Sequence, residues 1–181
     1  MSRMPEITRR AAVAEDGREI FDYIEKTRGR VGLPYSVFLH HPELAYRKLH
    51  VGSYVRFETT LPRNVSELTI CTAAREIDCR FEWAAHAGAA APEGISEGTI
   101  DVIAFKRDLD GLSDEEALPI RFARQLLQQH QVEADTFEQA RRRFGDQGVI
   151  DLTATVGYYS LMACLLNALE VVPPSTAPQL P

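Results

Sequence analysis

Glu67-Leu-Thr-Ile-Cys-Thr-Ala-Ala-Arg-Glu-Ile-Asp-Cys-Arg-Phe-Glu-Trp-Ala-Ala-His86 gathers two cysteines, four carboxylates, the only tryptophan and a histidine in a stretch that otherwise reads as apolar helix. Ionisable groups on an apolar face are costly unless they pair with one another or serve chemistry, so this stretch is the first candidate for a site. Leu68, Ile70, Cys71, Ala73, Ala74 and Ile77 predict a helix over 67–77 with Ser66 as its cap. Asp78 offers a second cap, for a helix over 79–91 that Pro92 and Gly94 end. Residues four apart on a helix stand about 40° apart around the axis and about 6 Å along it, so Glu82 can reach His86. Cys79 lies a turn before Glu82 and about 10 Å along the axis from His86, which makes Glu82 the bridge between them. Trp83 is expected to flank the stripe and shield it from water.

Outward from this pair, the same periodicity continues in both directions. On the N-terminal side, residues 1–15 read as a loosely held leader, and Asp16 as the cap of a helix over 18–28 with Ile20, Tyr23, Ile24 and Thr27 on one face. Residues 35–40 form a short apolar piece. Pro42 suits the first turn of a next helix, whose buried stripe is Leu44, Ala45, Leu49, Gly52 and Val55. Residues 53–60 are the one place where a strand competes. The adjacent His40 and His41 point in different directions and read as capping or surface residues, and His50 and His130 as solvent-facing.

On the C-terminal side, Ser96 caps a helix through Thr99, Ile100, Val102, Ile103 and Phe105, and Ser113-Asp-Glu-Glu116 is a capping box for a helix to His130. Asp135-Thr-Phe-Glu138 resembles a second box, for a short helix ending at Gly145. Asp146 opens a last helix, apolar on most of its circumference through Val149, Leu152, Val156, Tyr159, Leu161, Met162, Leu165, Leu166 and Leu169, and therefore buried. The fold class is all-α, in one domain: N-terminal helices over 1–60, a core over 61–172, and an extended tail over 173–181.

A net charge of −6 and a pI near 5.4 give nucleic-acid binding no electrostatic support, and Arg141-Arg142-Arg143 between acids reads as a solvated helix face. Neither a transmembrane run nor a secretory signal is expected, which suggests a cytoplasmic protein without a membrane partner. Cys71, Cys79 and Cys164 suit free thiols, and the cysteines and histidines do not fall at zinc-ligand spacing.

Glu67-Leu68, Cys79-Arg-Phe-Glu-Trp-Ala-Ala-His86, the helix start after Gly94-Ile-Ser96, and more loosely Val156-Gly-Tyr-Tyr159 and Leu165-Leu-Asn-Ala168, resemble the carboxymuconolactone decarboxylase and alkylhydroperoxidase D-like family. The resemblance spans about residues 61–171. It implies an alkylhydroperoxidase D-like helical bundle that assembles with itself, as a trimer or hexamer, and acts on a small-molecule substrate without metal or cofactor. In the peroxidase branch a glutamate is followed by Cys-x-x-Cys and then by a histidine one turn on. Glu67, Cys79 and His86 match, whereas Glu82 occupies the second cysteine's place. That cysteine is the one the resemblance makes the attacking thiol, so the site is closer in kind to the decarboxylase branch. The candidate catalytic residues are Glu67, Cys79, Glu82 and His86. The leading expectation is acid–base chemistry on a small lactone or carbonyl acid, with His86 carrying the proton and Glu82 and Glu67 orienting it or acting as a second acid. Two alternatives stand beside it: a thiol-dependent peroxidase using Cys79, and a non-catalytic oligomeric binding protein in which Glu82 and His86 merely satisfy each other and Cys79 is a small buried hydrophobe.

Overall fold

The computed structural model describes residues 2–181, among which there are eight α-helices and no strand. They are α1 (Arg18–Arg28), α2 (Leu33–Phe38), α3 (Pro42–Ser53), α4 (Arg63–Glu76), α5 (Arg80–Ala87), α6 (Glu97–Ala104), α7 (Asp114–Gln129) and α8 (Ala134–Ala168). The bundle is built around α4, which packs against α5, α6, α7 and α8 and is buried without interruption from Val65 to Ala74. A helix buried all round must satisfy its own polar side chains. Thr69 and Thr72 do so by donating to the carbonyls one turn earlier, at 2.7 Å each. Leu68 and Ile70 are fully buried, each worth about 1.5–3 kcal/mol relative to exposure.

α4 begins a turn earlier than its sequence predicts. Pro62 is extended and the helix starts at the next residue, so Ser66 lies inside the helix and caps nothing. The turn after α4 is tight: Asp78 adopts a left-handed φ of 50°, Arg75 pairs with its carboxylate, and the Cys79 amide donates to Ala74 O at 2.8 Å. Cys79, not Asp78, therefore holds the N-cap position of α5, which ends at Ala87, short of the expected 91.

Elsewhere the caps at Ser96 and Ser113 form as expected, the latter as a full capping box whose Glu116 also accepts from Thr99 at 2.7 Å and ties α6 to α7. Those at Asp16 and Asp135 do not. Gly17 and Glu133 hold the two N-cap positions, neither with a side-chain bond. α8 passes through Gly145 at φ 70° and ψ 178°, a conformation that only glycine adopts readily, so its two arms meet at a kink where the sequence breaks the pattern. Its second arm is long and apolar enough to cross a membrane by length and composition, yet it packs inside the bundle against α4, α5 and α7. Leu161 on that arm, Leu44 on α3 and Phe105 after α6 are exposed, contrary to the expected stripes.

The N-terminal helices share the central core: Val37, Phe38, Ala45 and Val55 pack in one cluster with Ile70, Ala73, Tyr158, Tyr159 and Met162. The leader is pinned rather than loose, since Ile7 and Val13 are buried and the Ile7 amide donates to Ser36 O at 3.0 Å. Residues 54–58, where a strand was the competing expectation, form a π-helical turn (Tyr54–Glu58) continuous with α3. Asp151 on α8 anchors it, accepting from the Tyr54 hydroxyl, the Thr59 hydroxyl, and the Thr60 amide and hydroxyl at 2.8–3.0 Å. Burial opposes the charge on Asp151, but these donors outweigh it and hold its carboxyl below the usual range.

α3 and α8 meet closely at Gly52, where a Cβ would collide with the Tyr158 hydroxyl. Gly52→Ala is expected to cost about 1–3 kcal/mol in chemical denaturation. Unchanged stability would contradict the close approach. Asp151→Ala should cost about 2–3 kcal/mol by the same measurement, because it strands several donors.

Candidate active site

α4 and α5 bring Glu67 and His86 together from positions 19 apart in the chain, with His86 Nδ1 at 2.6 Å from Glu67 Oε2. Both are almost completely buried, at 2% exposure for His86 and 1% for Glu67. Arg63, one turn before Glu67, donates to its other oxygen at 3.2 Å. His86 Nε2 faces Glu82 Oε2 at 3.6 Å, beyond hydrogen-bond length but within ion-pair reach. The imidazole thus stands between two carboxyl groups, and the bond that orients it is made by Glu67, not by the helical neighbour Glu82. The Tyr159 ring meets it edge-on at 5.1 Å and fixes its plane.

The two carboxyl groups differ in acidity. At Glu67 burial favours the neutral acid, but the hydrogen bond and charge of His86, with Arg63 and Arg56, outweigh it and leave its carboxyl below the usual range. At Glu82 burial wins over His86, Lys48 and Arg56, and its carboxyl is raised. The two environments push the carboxyls apart on either side of one imidazole, favouring the ionised form at Glu67 and the protonated form at Glu82. With Glu67 ionised and accepting from Nδ1–H, Nε2 is the nitrogen free for exchange.

Glu82 and His86 line a cavity of about 120 Å³, enclosed by Tyr35 from α2, Gly52 from α3, Arg28 at the end of α1, Arg56 from the π-helical turn, and Tyr158, Tyr159 and Met162 from α8. Behind Tyr35 and Met162 lies Lys48, only 3% exposed. Its Nζ sits 4.2 Å and 4.3 Å from the ring centres of Tyr35 and Phe38 and 3.3 Å from Met162 Sδ. Burial lowers its amine from the ordinary 10.5 to about 7, with Glu82 opposing the shift and Arg28 adding to it.

Cys79 is fully buried in the core cluster and does not line the cavity. Burial, with a contribution from Glu82, pushes its thiol up to about 11, against the backbone N–H groups of Glu82 and Phe81. Glu82 is therefore no bridge between Cys79 and His86 in a working sense: the thiol looks into the core and the carboxyl into the cavity. Cys71 is buried with its thiol raised further, and Cys164 is exposed. Trp83 does not shield the site. It points the other way, into the cluster of Leu68, Cys71 and Ile103 beneath the C-terminal tail. His41 caps α3 by accepting from the Leu44 amide at 3.2 Å, and His40 bonds the Pro5 carbonyl at 2.8 Å.

Sequence reasoning did not single out Arg28, Tyr35, Lys48 or Arg56. Only Lys48 left a signal: it falls one turn after Ala45 and one before Gly52 on the predicted buried stripe, where a lysine is out of place. Its burial has a measurable sign. Between pH 7 and about 10 the unfolded chain binds a proton at this residue that the folded chain increasingly lacks, so Lys48 makes stability rise with pH. The difference in unfolding free energy between wild type and Lys48→Met should therefore change over that window and level off below pH 7. A pH-independent difference would contradict the buried amine.

No family profile matches the chain and no curated protein matches its sequence. Solved structures do match. The alkylhydroperoxidase AhpD core of an uncharacterized peroxidase-related protein from Ralstonia eutropha JMP134 superposes with a TM-score of 0.76 at 19% identity, over 96% of this chain and 93% of that one. An uncharacterized peroxidase-related protein from Silicibacter sp. TM1040 gives 0.74 at 14% identity, over 97% and 96%. A protein of unknown function from Agrobacterium tumefaciens gives 0.66 at 17%, over 76% and 94%. The fold is that of the AhpD core, and the all-α, AhpD-like expectation is borne out.

Proposed function

We propose that the protein belongs to the carboxymuconolactone decarboxylase and alkylhydroperoxidase D-like family and is a cofactor-free enzyme in which His86 transfers protons on a small lactone or carbonyl acid. The observation that carries this reading is one imidazole held at Nδ1 by a buried, ionised Glu67 while Nε2 faces both Glu82 and a cavity. Nε2 takes the proton from the carbon beside the substrate carbonyl, the electron pair moves into the carbonyl as an enolate, and the imidazolium formed is stabilised by Glu67. Glu82, whose carboxyl is biased by burial toward the protonated form, hydrogen-bonds the developing oxyanion, and His86 returns the proton to carbon. A cytoplasmic setting and assembly with itself as a trimer or hexamer go with the family resemblance.

On a panel of lactones and keto acids, followed by turnover and by exchange of the carbon-bound proton with deuterium, His86→Ala should lower the rate about 10²–10⁴-fold. Glu82→Gln should lower it less, because an amide still donates a hydrogen bond. Rates unchanged in both would sink the role.

A thiol peroxidase is the second reading, favoured by the peroxidase-related descriptions of two of the structural neighbours. It requires Cys79 sulfur to attack a peroxide oxygen with cleavage of the O–O bond, a reaction of the thiolate. A raised, buried thiol predicts that dilute peroxide leaves Cys79 unmodified while the exposed Cys164 is oxidised. Trapping of a sulfenate at Cys79 ahead of Cys164 would reverse the order of the two readings.

A further inference from the structure

Arg28 and Arg56 reach the cavity from different elements, and both are only partly buried, whereas Glu82 and His86 are almost fully so. Arg28 and Arg56 are thus the more exposed members of the lining, and Glu82 and His86 the more buried. Among the described residues neither arginine is ion-paired with a carboxylate. In each, the Nε–H is buried and finds no acceptor among the protein's own atoms. Arg124 also has a buried Nε, but Glu76 stands 3.8 Å from it, and Arg18 does not line the cavity. Buried charged donors without an acceptor are costly in the free protein, and an anion bound against these guanidiniums would offset that cost.

The pair is also held in place. The guanidiniums lie over the same Phe57 ring, at 4.9 Å and 5.4 Å from its centre, and an Arg28 terminal nitrogen donates to Ser53 Oγ at 2.8 Å. The π-helical turn that supplies Arg56 and Phe57 is fastened to α8 through Asp151. Little side-chain freedom is left to lose when a ligand arrives.

We propose that Arg28 and Arg56 form a carboxylate clamp at the solvent side of the cavity, so that the substrate is a small monocarboxylate held by its charged end with its reactive carbon toward His86. A planar carboxylate matches the guanidinium fork, which donates two parallel hydrogen bonds. The cavity, at about 120 Å³, is slightly smaller than the roughly 150 Å³ that holds a benzene, which limits the enclosed part of the substrate to about five or six heavy atoms. The position of the reacting carbon rests on the acid–base reading above, whereas the anion site does not.

Proton–nitrogen correlation spectra of arginine side chains read the Nε–H groups directly, with Arg28→Lys and Arg56→Lys used to assign them. Titration of the full-length protein with propionate should shift both Nε–H signals together to a one-to-one end point, and the uncharged propionamide should leave them in place. Arg28→Gln and Arg56→Gln should each weaken propionate binding by about tenfold or more, the effect of losing hydrogen bonds to a charged group. Unmoved Nε–H signals in the wild type, equal binding of propionamide, or tighter binding of inorganic phosphate would each overturn the clamp, and the wild-type titration decides even if a Gln variant fails to fold. Binding is measured without turnover, so a confirmed clamp survives an inert His86→Ala result, and a failed clamp leaves the role of His86 standing.

Discussion

The hydrogen bond between Glu67 and His86 is the constraint on which the arrangement depends. It joins α4, the most buried helix, to α5 across a turn held by left-handed Asp78. A buried hydrogen bond to a carboxylate adds little net stability compared with an apolar core, but removing His86 would leave the buried Glu67 carboxylate short of a donor, at a cost of about 1–3 kcal/mol or more. The pair therefore specifies how α5 lies on α4 more than it stabilises the bundle. Once α5 is set, Trp83 falls into the core on one side and Glu82 opens onto the cavity on the other, so the same helix supplies packing and chemistry from opposite faces.

The cavity is an N-terminal addition to this pair. α1, α2, α3 and the π-helical turn cover the inner face of α5 and α8, and they bring in Arg28, Tyr35, Lys48 and Arg56. Three cationic groups thus surround a carboxyl and an imidazole. Burial drives the Lys48 amine, behind the wall in an aromatic cage, toward neutrality, while Arg28 and Arg56 line the cavity itself. Lys48 and Arg56 also limit how far the acidity of Glu82 falls through burial, so the N-terminal helices tune the site as well as enclose it.

Much of the fold was legible in the sequence because helical periodicity, two good caps and the glycine at 145 all act locally. Ser113 and Ser96 cap where expected, since nothing distant competes for their hydroxyls. Ser66 misled because Pro62 sets the start of α4, and Asp135 because the chain enters α8 two residues sooner. Of the site, Glu67, Glu82 and His86 were found from their type and spacing, but their roles depended on side-chain distances across helices. Helix spacing favoured Glu82 as the partner of His86, whereas tertiary packing gave the bond to Glu67 at 2.6 Å and left Glu82 at 3.6 Å. Cys79 was read as a possible nucleophile from its place in the motif, and the turn geometry that buries its sulfur is not encoded in residue spacing. Arg28 and Arg56 left no trace at all, because each acquires meaning only when the end of α1 and the π-helical turn meet over Phe57.

The central claim is that one imidazole separates an ionised carboxyl from a protonated one. Carbon-13 spectra of the glutamate side-chain carboxyls, assigned with Glu67→Gln and Glu82→Gln and followed against pH, test it most directly. The account predicts that Glu67 titrates below the ordinary glutamate range and Glu82 above it, with an interval of pH in which the two carry opposite protonation states. Coincident titration of the two carboxyls, or Glu82 ionising first, would contradict it.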